Sequence, residues 1–556
     1  MKKLSPYLLL AVGCLLLAIG FITVVAFIDR PPAPAQKVLF IDEAGDRLAG
    51  TYTAGQQPWG VLLLEGFGSD QITMTSLASQ FQGAGWHVFR FDFSGHGRSP
   101  GTLTFDNAST DRLARQALSA LEEYSRLSGL RPDQVFVLGH SLGARVALQS
   151  ATLNPSPVAG LVLLGTQVNL STNVQSEFFT GTSDGDLPWV QALGPQNPPV
   201  PILLVSGTWD DILTPAAAEQ LFSRLTASNY QQAEGVFQSD GEGAPRQQWI
   251  LPGLVHNYEP FSPRVLQTLQ QWLTGRTGTV FPGPGPARLR VVTWIAALAA
   301  MLLGLWSANR WWIQTHPGQS TPPPIAITHL RRFLWGKMWL WLAALPVAAV
   351  LGSLFFVLPV GKPVFNLIYV GFIGGYGLLL FVLYRRGKMP GVHGKLNLAA
   401  RAPAALPAAR KDVRHLLAVL VISAAMLILT GAYARSGWFY TFPLNIRLLW
   451  LVIFTPFTAL GFWIGLQEAR MLPAAGSSRL LVNLIGLLPF FLYTLLMAVI
   501  GSLSGMIGGL QGLLILWLVL LFGSLIQSVG RRPWLTAFCM AVLLYWLILP
   551  QGVLFG

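Results

Sequence analysis

The 556-residue chain is poor in charge and almost without cysteine. Asp, Glu, Lys and Arg together make up 11% of it, against 52% hydrophobic residues, and mean hydropathy is +0.50. That balance excludes a disordered chain and equally a wholly soluble globular one. The two cysteines, Cys14 and Cys539, lie in apolar runs at opposite ends, so neither a disulfide framework nor a cysteine-ligated metal site is available. Acidic residues nearly vanish from the second half. Ala287 to Gly556 hold 21 Lys and Arg but only Asp412 and Glu468, whereas Asp29 to Pro286 hold 14 Lys and Arg against 22 Asp and Glu. The formal net charge of +13 therefore sits in the hydrophobic half, where basic loops join membrane spans, and no nucleic-acid partner is expected.

What is present divides the chain into unlike parts. Lys2 and Lys3 precede an uncharged stretch, Leu4 to Ile28, long enough to cross a ~30 Å hydrocarbon core and longer than the core of a cleaved signal peptide. Residues 1–30 thus read as an uncleaved anchor in the lipid bilayer and 31–37 as a proline-rich linker. From 38 to 274 short buried-strand runs alternate with helical patterns. Val61–Leu64, Val88–Phe91, Val135–Leu138, Leu161–Leu164 and Ile202–Val205 read as parallel strands. Thr75–Gly83, Thr110–Ser128, Arg145–Leu153, Pro215–Leu225 and Pro263–Leu273 read as the helices between them. The expected fold class is α/β, a doubly wound, mostly parallel sheet.

A Pro/Gly linker spans 275–290, and residues 291–556 read as an all-α bundle of about eight transmembrane helices, near Val291–Trp306, Met338–Leu358, Phe365–Tyr384, Leu416–Tyr433, Leu448–Leu466, Leu480–Ile500, Leu510–Ile526 and Trp534–Leu549. With the N-terminus cytoplasmic, the predicted inside loops carry sixteen Lys and Arg, and the outside loops between the later spans carry three, Lys362, Arg435 and Arg447. The positive-inside rule then puts the α/β domain outside the cytoplasm of a multi-pass cell-membrane protein. Arg288 and Arg290, at the outer end of the second span, run against this. The Gly371–Gly375 and Gly461–Gly465 spacings predict close helix packing, and Pro346, Pro456 and Pro489 predict kinks.

Three Gly-x-Ser-x-Gly patterns occur, around Ser99, Ser141 and Ser183. A nucleophile elbow needs a strand before it and a helix after it, so that the serine stands on a strained turn at the helix amino end. Only Gly139-His140-Ser141-Leu142-Gly143 has both. A serine hydroxyl is a weak nucleophile without a base, and that base needs an acid to hold its tautomer. Downstream, one strand ends in Gly207-Thr208-Trp209-Asp210-Asp211, and His256 stands in a loop before the final helix.

In these motifs and in their chain order, serine then acid then histidine, the region 38–274 resembles the α/β-hydrolase family. The resemblance implies Ser141 as nucleophile, His256 as base and Asp210, rather than Asp211, as the acid. It implies an oxyanion hole from the backbone N–H groups of Phe67 and Leu142, a structural role for His96, and a small cap over 166–201. Where many relatives carry histidine this chain has Glu65, and a carboxylate beside an oxyanion is unfavourable unless it points away or is paired. Such a site needs no metal and no organic cofactor. The expected activity is that of a membrane-bound serine hydrolase, esterase-, lipase- or thioesterase-like, on a small acyl or lipid-like substrate, with peptidase activity left open. Acyl transfer to a lipid or glycan by the same residues, and a non-catalytic scaffold, are the two alternatives.

Overall fold

A computed structural model of the chain describes every residue except 1–4, 31–32, 105–106, 155, 167, 169, 171–183, 241–242, 284, 317–324, 397–408, 437–439, 441 and 473–476. After the apolar helix α1 (Pro6–Ile28), ten strands form one sheet: β1 (Ala35–Ile41), β2 (Arg47–Thr53), β3 (Gly60–Leu64), β4 (His87–Asp92), β5 (Val135–His140), β6 (Gly160–Leu164), β7 (Ile202–Gly207), β8 (Tyr230–Ala233), β9 (Val236–Ser239) and β10 (Arg246–Leu251). Their order is β1-β2-β4-β3-β5-β6-β7-β10-β9-β8. The six strands from β4 to β10 in that order run parallel, and antiparallel pairs close both edges. Helices α2 (Thr75–Gly83), α3 (Asn107–Ser128), α4 (Leu142–Leu153), α5 (Pro188–Gln191), α6 (Pro215–Thr226) and α7 (Pro263–Thr277) cover the two faces, each with its own apolar cluster.

The five parallel strands read from the sequence are all present, because runs such as Val61–Leu64 are buried on both sides and carry no polar residue. Five strands have no such signature. β10 opens with Arg246-Gln247-Gln248, yet Arg246 and Gln248 are buried. The Arg246 guanidinium donates to the carbonyls of Val200 and Pro198, so a polar segment sits inside the sheet with its charge held by backbone oxygen.

Among the described residues of the second half, seven helices are long and apolar enough to cross a membrane: Arg290–Thr315, Leu330–Val357, Val364–Arg386, Val413–Arg435, Arg447–Met471, Leu503–Gly530 and Pro533–Gln551; α1 is the eighth. The remaining expected span, Leu480–Ile500, is instead two short helices, Ser477–Gly486 and Leu488–Val499. The break falls at Leu487, beside Pro489, which has no N–H to give to the preceding turn. Of the two small-residue spacings, Gly371 and Gly375 both pack on Ala348, where a Cβ would lie 3.3 and 3.0 Å away; in the other, Gly461 packs backbone to backbone, since a Cβ there would lie 2.2 Å from the Ile373 carbonyl, whereas Gly465 has open space around it.

The helix ends alternate between two levels. At the level of the sheet, Arg290 pairs with Asp29 at 2.6 Å and donates to the Ser436 carbonyl, which accounts for one of the two arginines that run against the loop-charge pattern. At the opposite level, Lys337 and Glu468 form a buried pair, and the Tyr384 hydroxyl donates to the other Glu468 oxygen at 3.0 Å. Breaking a buried pair leaves an uncompensated charge, at a cost of about 3–5 kcal/mol. Glu468→Ala should therefore lower the thermal midpoint of detergent-solubilised protein sharply, and Lys337→Met combined with Glu468→Leu should restore most of that loss; equal midpoints for the single variant and wild type would contradict the pairing.

Candidate active site

The chain leaves β5 and enters α4 through Ser141, whose backbone sits at φ 56°, ψ −116°. A non-glycine residue adopts that conformation only when its surroundings compel it. The compulsion is visible in both flanking glycines. A Cβ on Gly139 would lie 2.2 Å from the Gly143 carbonyl, and one on Gly143 would lie 2.4 Å from the carbonyl of Leu64. Strand, turn and helix are thus pressed together at distances that no side chain tolerates, and the Ser141 N–H is fastened to Leu164 of β6 at 2.8 Å. Of the other two patterned serines, Ser99 is buried, donates to the Asp92 carbonyl and accepts from Ala49 N–H, a turn-holding role. Ser183 lies outside the described residues.

His256 stands in the turn after β10, packed against Gly165 at the end of β6. Its Nδ1–H donates to Asp210 Oδ2 at 2.8 Å, and Asp210 Oδ1 accepts the N–H groups of Ile212 and Leu213 at 3.0 and 2.8 Å. Both carboxylate oxygens are engaged, so the acid cannot rotate, and the imidazole keeps the tautomer that leaves Nε2 as the acceptor. His140, the residue before Ser141, donates from Nε2 to the His256 carbonyl at 3.1 Å, with the two rings 4.9 Å apart. Burial and the neighbouring imidazole push His140 down to about 3, so it stays neutral. Glu259 lies fully buried beside both histidines, and burial raises it well above its ordinary range. His140, His256 and Glu259 bring ligand atoms within 4.8 Å of one another. His256 Nδ1 and His140 Nε2 are already donors in the bonds just described, so those two nitrogens offer no lone pair to a cation.

The remaining expected donors flank the serine. Leu142 opens α4, where the first N–H groups of a helix have no intrahelical acceptor. Phe67 lies in the loop after β3, and at Gly66 of that loop a Cβ would stand 3.3 Å from Ser141 Cβ. Glu65 turns away from this point: its Oε1 accepts the Phe93 N–H at 2.9 Å. Burial, with Asp92 and Asp70 nearby, raises Glu65 well above its ordinary value of 4.5, a shift that favours its uncharged form. His96 is buried, pushed down to about 4, and donates from Nδ1 to the Ser94 carbonyl at 3.2 Å, in keeping with the structural role expected of it. Of the expected cap, Phe178 and Phe179 lie outside the described residues. Trp189 packs under the Arg145 guanidinium, 5.4 Å from its ring centre, and Arg145 pairs with Asp184 at 2.6 Å.

The helical half reaches into this loop cluster at points the sequence did not disclose. Asp211, next to Asp210, accepts Ser502 Oγ–H at 2.7 Å and Ser504 N–H at 3.1 Å at the start of Leu503–Gly530. Arg447 donates to the carbonyls of Gly95, Gly97 and Gly552. The Tyr440 hydroxyl donates to Asp92 at 2.7 Å, and its backbone N–H donates to Asp70 at 3.1 Å. The Phe67 ring meets Phe365 and Phe555 at 5.8 and 6.1 Å. Arg447, counted among loop charges in the sequence, is buried; its one available signal was its isolation at the head of an uncharged run.

Residues 56–193 match the family model described as Serine aminopeptidase, S33. The chain is 34% identical over 125 residues to Protein phosphatase methylesterase 1 of Candida albicans, a stretch that covers 22% of this chain and 33% of that one. It is 27% identical over 241 residues to an uncharacterized protein of Mycobacterium tuberculosis, covering 40% and 73%. Among solved structures, a protein of unknown function from Agrobacterium tumefaciens, ATU1826, aligns at 20% identity and TM-score 0.33, covering 45% of this chain and all of its own. The matches fall on the sheet-bearing part, which has the α/β-hydrolase fold.

The state of Glu65 is open to a direct test. The upward shift favours the protonated acid in the folded chain, whereas the unfolded chain releases that proton once pH exceeds the ordinary carboxylate range, so Glu65 is expected to subtract stability as pH rises from about 5 toward its raised folded value. Glu65→Gln keeps the acceptor for Phe93 and cannot ionise. Unfolding midpoints measured from about pH 5 to 9 should fall less in the variant than in wild type, and parallel curves would show that Glu65 is already charged.

Proposed function

We propose that the chain is a membrane-embedded serine hydrolase acting on carbonyl esters. The observation that carries this reading is one juxtaposition: a serine on a strained strand-to-helix turn, with a buried His256–Asp210 hydrogen bond of 2.8 Å at the same sheet edge. In this reading Ser141 Oγ attacks the acyl carbon while His256 Nε2 takes its proton. The Phe67 and Leu142 N–H groups hold the oxygen that becomes negative. Collapse of the tetrahedral species breaks the bond to the alcohol, which leaves with the proton from His256, and the acyl group stays on Ser141. Water then attacks, His256 takes its proton and returns it to Ser141 Oγ, and the free acid departs. Asp210 stabilises the charged imidazole in both halves.

Two named relatives favour an ester over a peptide: the Candida methylesterase, and a Monkeypox virus monoglyceride lipase homolog that is 28% identical over 110 residues, covering 20% of this chain and 38% of that one. The eight long apolar helices support a membrane location, and the loop charges support an extracytoplasmic sheet domain with the N-terminus inside. The alternating helix ends agree with that count once the two short helices Ser477–Gly486 and Leu488–Val499 are taken together as one crossing.

Ser141→Ala should abolish labelling by a fluorophosphonate and lower ester turnover by at least about 10³-fold. Asp210→Asn should cost about 10⁴-fold in kcat, while Asp211→Asn should cost less than about tenfold, which separates the adjacent acids. Wild-type protein that is folded yet takes no label would refute the reading.

A further inference from the structure

Between the sheet domain and the apolar helices lies a cavity of about 200 Å³, lined among others by Gly68, Asn366, Tyr369, Gln511, Gly512 and Gln551. Gly68 follows Phe67 in the loop after β3, and Phe365, also on the lining, packs edge-on against the Phe67 ring at 5.8 Å. The cavity therefore begins at the proposed oxyanion loop. Its far wall belongs to Leu503–Gly530, the helix whose first turn is tied to Asp211. At 1.5 Å per residue, Gln511 lies roughly 10 Å along that helix from Ser504. The cavity thus descends from the sheet domain into the layer of membrane-crossing helices.

Its lining is unusually polar for that depth. Among the described residues the Tyr369 hydroxyl and the Gln511 amide make no hydrogen bond. Asn366, only 5% exposed, donates from its amide to the Ile548 carbonyl at 3.0 Å, and its own Oδ1 has no partner. Polar groups placed among apolar helices carry a cost unless something bonds to them. Gly508 and Gly512 keep the helix surface bare on the same wall, and a Cβ at Gly512 would stand 3.1 Å from the Tyr369 hydroxyl. The space has room for a group of several heavy atoms and offers both hydrogen-bond donors and acceptors; a long acyl chain would neither fit nor satisfy them.

We infer that this cavity is the alcohol subsite of the Ser141 centre, and that the substrate is a bilayer-borne lipid ester whose alcohol carries a further hydroxyl. This rests on the serine-hydrolase reading above. The acyl carbonyl lies at Ser141 while the hydroxyl-bearing alcohol reaches down among Asn366, Tyr369 and Gln511. The apolar helices then complete the substrate site as well as holding the domain at the membrane.

The test compares two esters that differ by one hydroxyl, 2-hydroxyethyl oleate and ethyl oleate, each in phosphatidylcholine nanodiscs with the full-length protein. Wild type should favour the hydroxylated ester in kcat/KM by roughly tenfold, the discrimination of one good hydrogen bond. Gln511→Leu and, more conservatively, Tyr369→Phe should bring that ratio toward one. Both esters are read on the same sample, so a variant that folds incompletely lowers both rates and leaves the ratio meaningful. A wild-type ratio near one, or a preference that survives both substitutions, would overturn the subsite. Fluorophosphonate labelling of wild type reports the Ser141 reading separately: label with no preference refutes the subsite alone, and absence of label refutes the reading beneath it.

Discussion

The close approach of three backbone segments, at Leu64, Gly139 and Gly143, is the constraint on which the reactive end of this molecule depends. Because no Cβ fits between them, β5 and α4 meet at a fixed angle, and the residue at the corner must accept a left-handed backbone. Serine occupies that corner. The strain is held by the parallel pairing of β3, β5 and β6 on either side, strands buried on both faces. Local distortion is thus stabilised by the least deformable part of the fold, and the helix amino end and the loop after β3 are carried to the same point.

A second constraint governs how the sheet domain sits on the helices. Glu65, Asp70 and Asp92 are wholly buried there, near the equally buried Arg447. Arg447 bonds to none of these carboxylates. Its N–H groups go to three backbone carbonyls, while the acids are met by the Phe93, Ile72, Gln71, Arg98 and Tyr440 N–H groups and by the Tyr440 hydroxyl. Burial drives all three acids upward in pKa, which reduces the charge that must be compensated in a region closed to water. The contact is accordingly built from directional hydrogen bonds between loops, one of which carries Phe67, and Asp211 adds a separate set with Ser502 and Ser504.

Ser141, His256, Asp210 and the parallel strands were legible because each left a local mark: a glycine-framed pentapeptide after an apolar run, acids at a strand end, a histidine before a last helix. The polar strand β10 and the partners of Asp211 left none. Arg246 is buried through contacts with Val200 and Pro198, some fifty positions away, and Asp211 meets Ser502 and Ser504 nearly three hundred residues on. The broken span at Leu487 has Pro489 as its mark, which in sequence predicts only a kink, because periodicity measures how apolar a run is and not whether its backbone stays continuous.

By itself, the amino-acid order determined the fold class of the sheet domain, the presence of long apolar helices and the candidate serine, acid and histidine, since these follow from side-chain period, hydropathy and the types that can take or give a proton. Tertiary structure alone decided that Glu65 turns inward to meet the Phe93 N–H, that the helices reach the loops around Ser141, and that an interior space begins beside Phe67. Those outcomes depend on where distant backbone groups come to lie, and hydrogen-bond partners and desolvation exist only once the chain has brought them together.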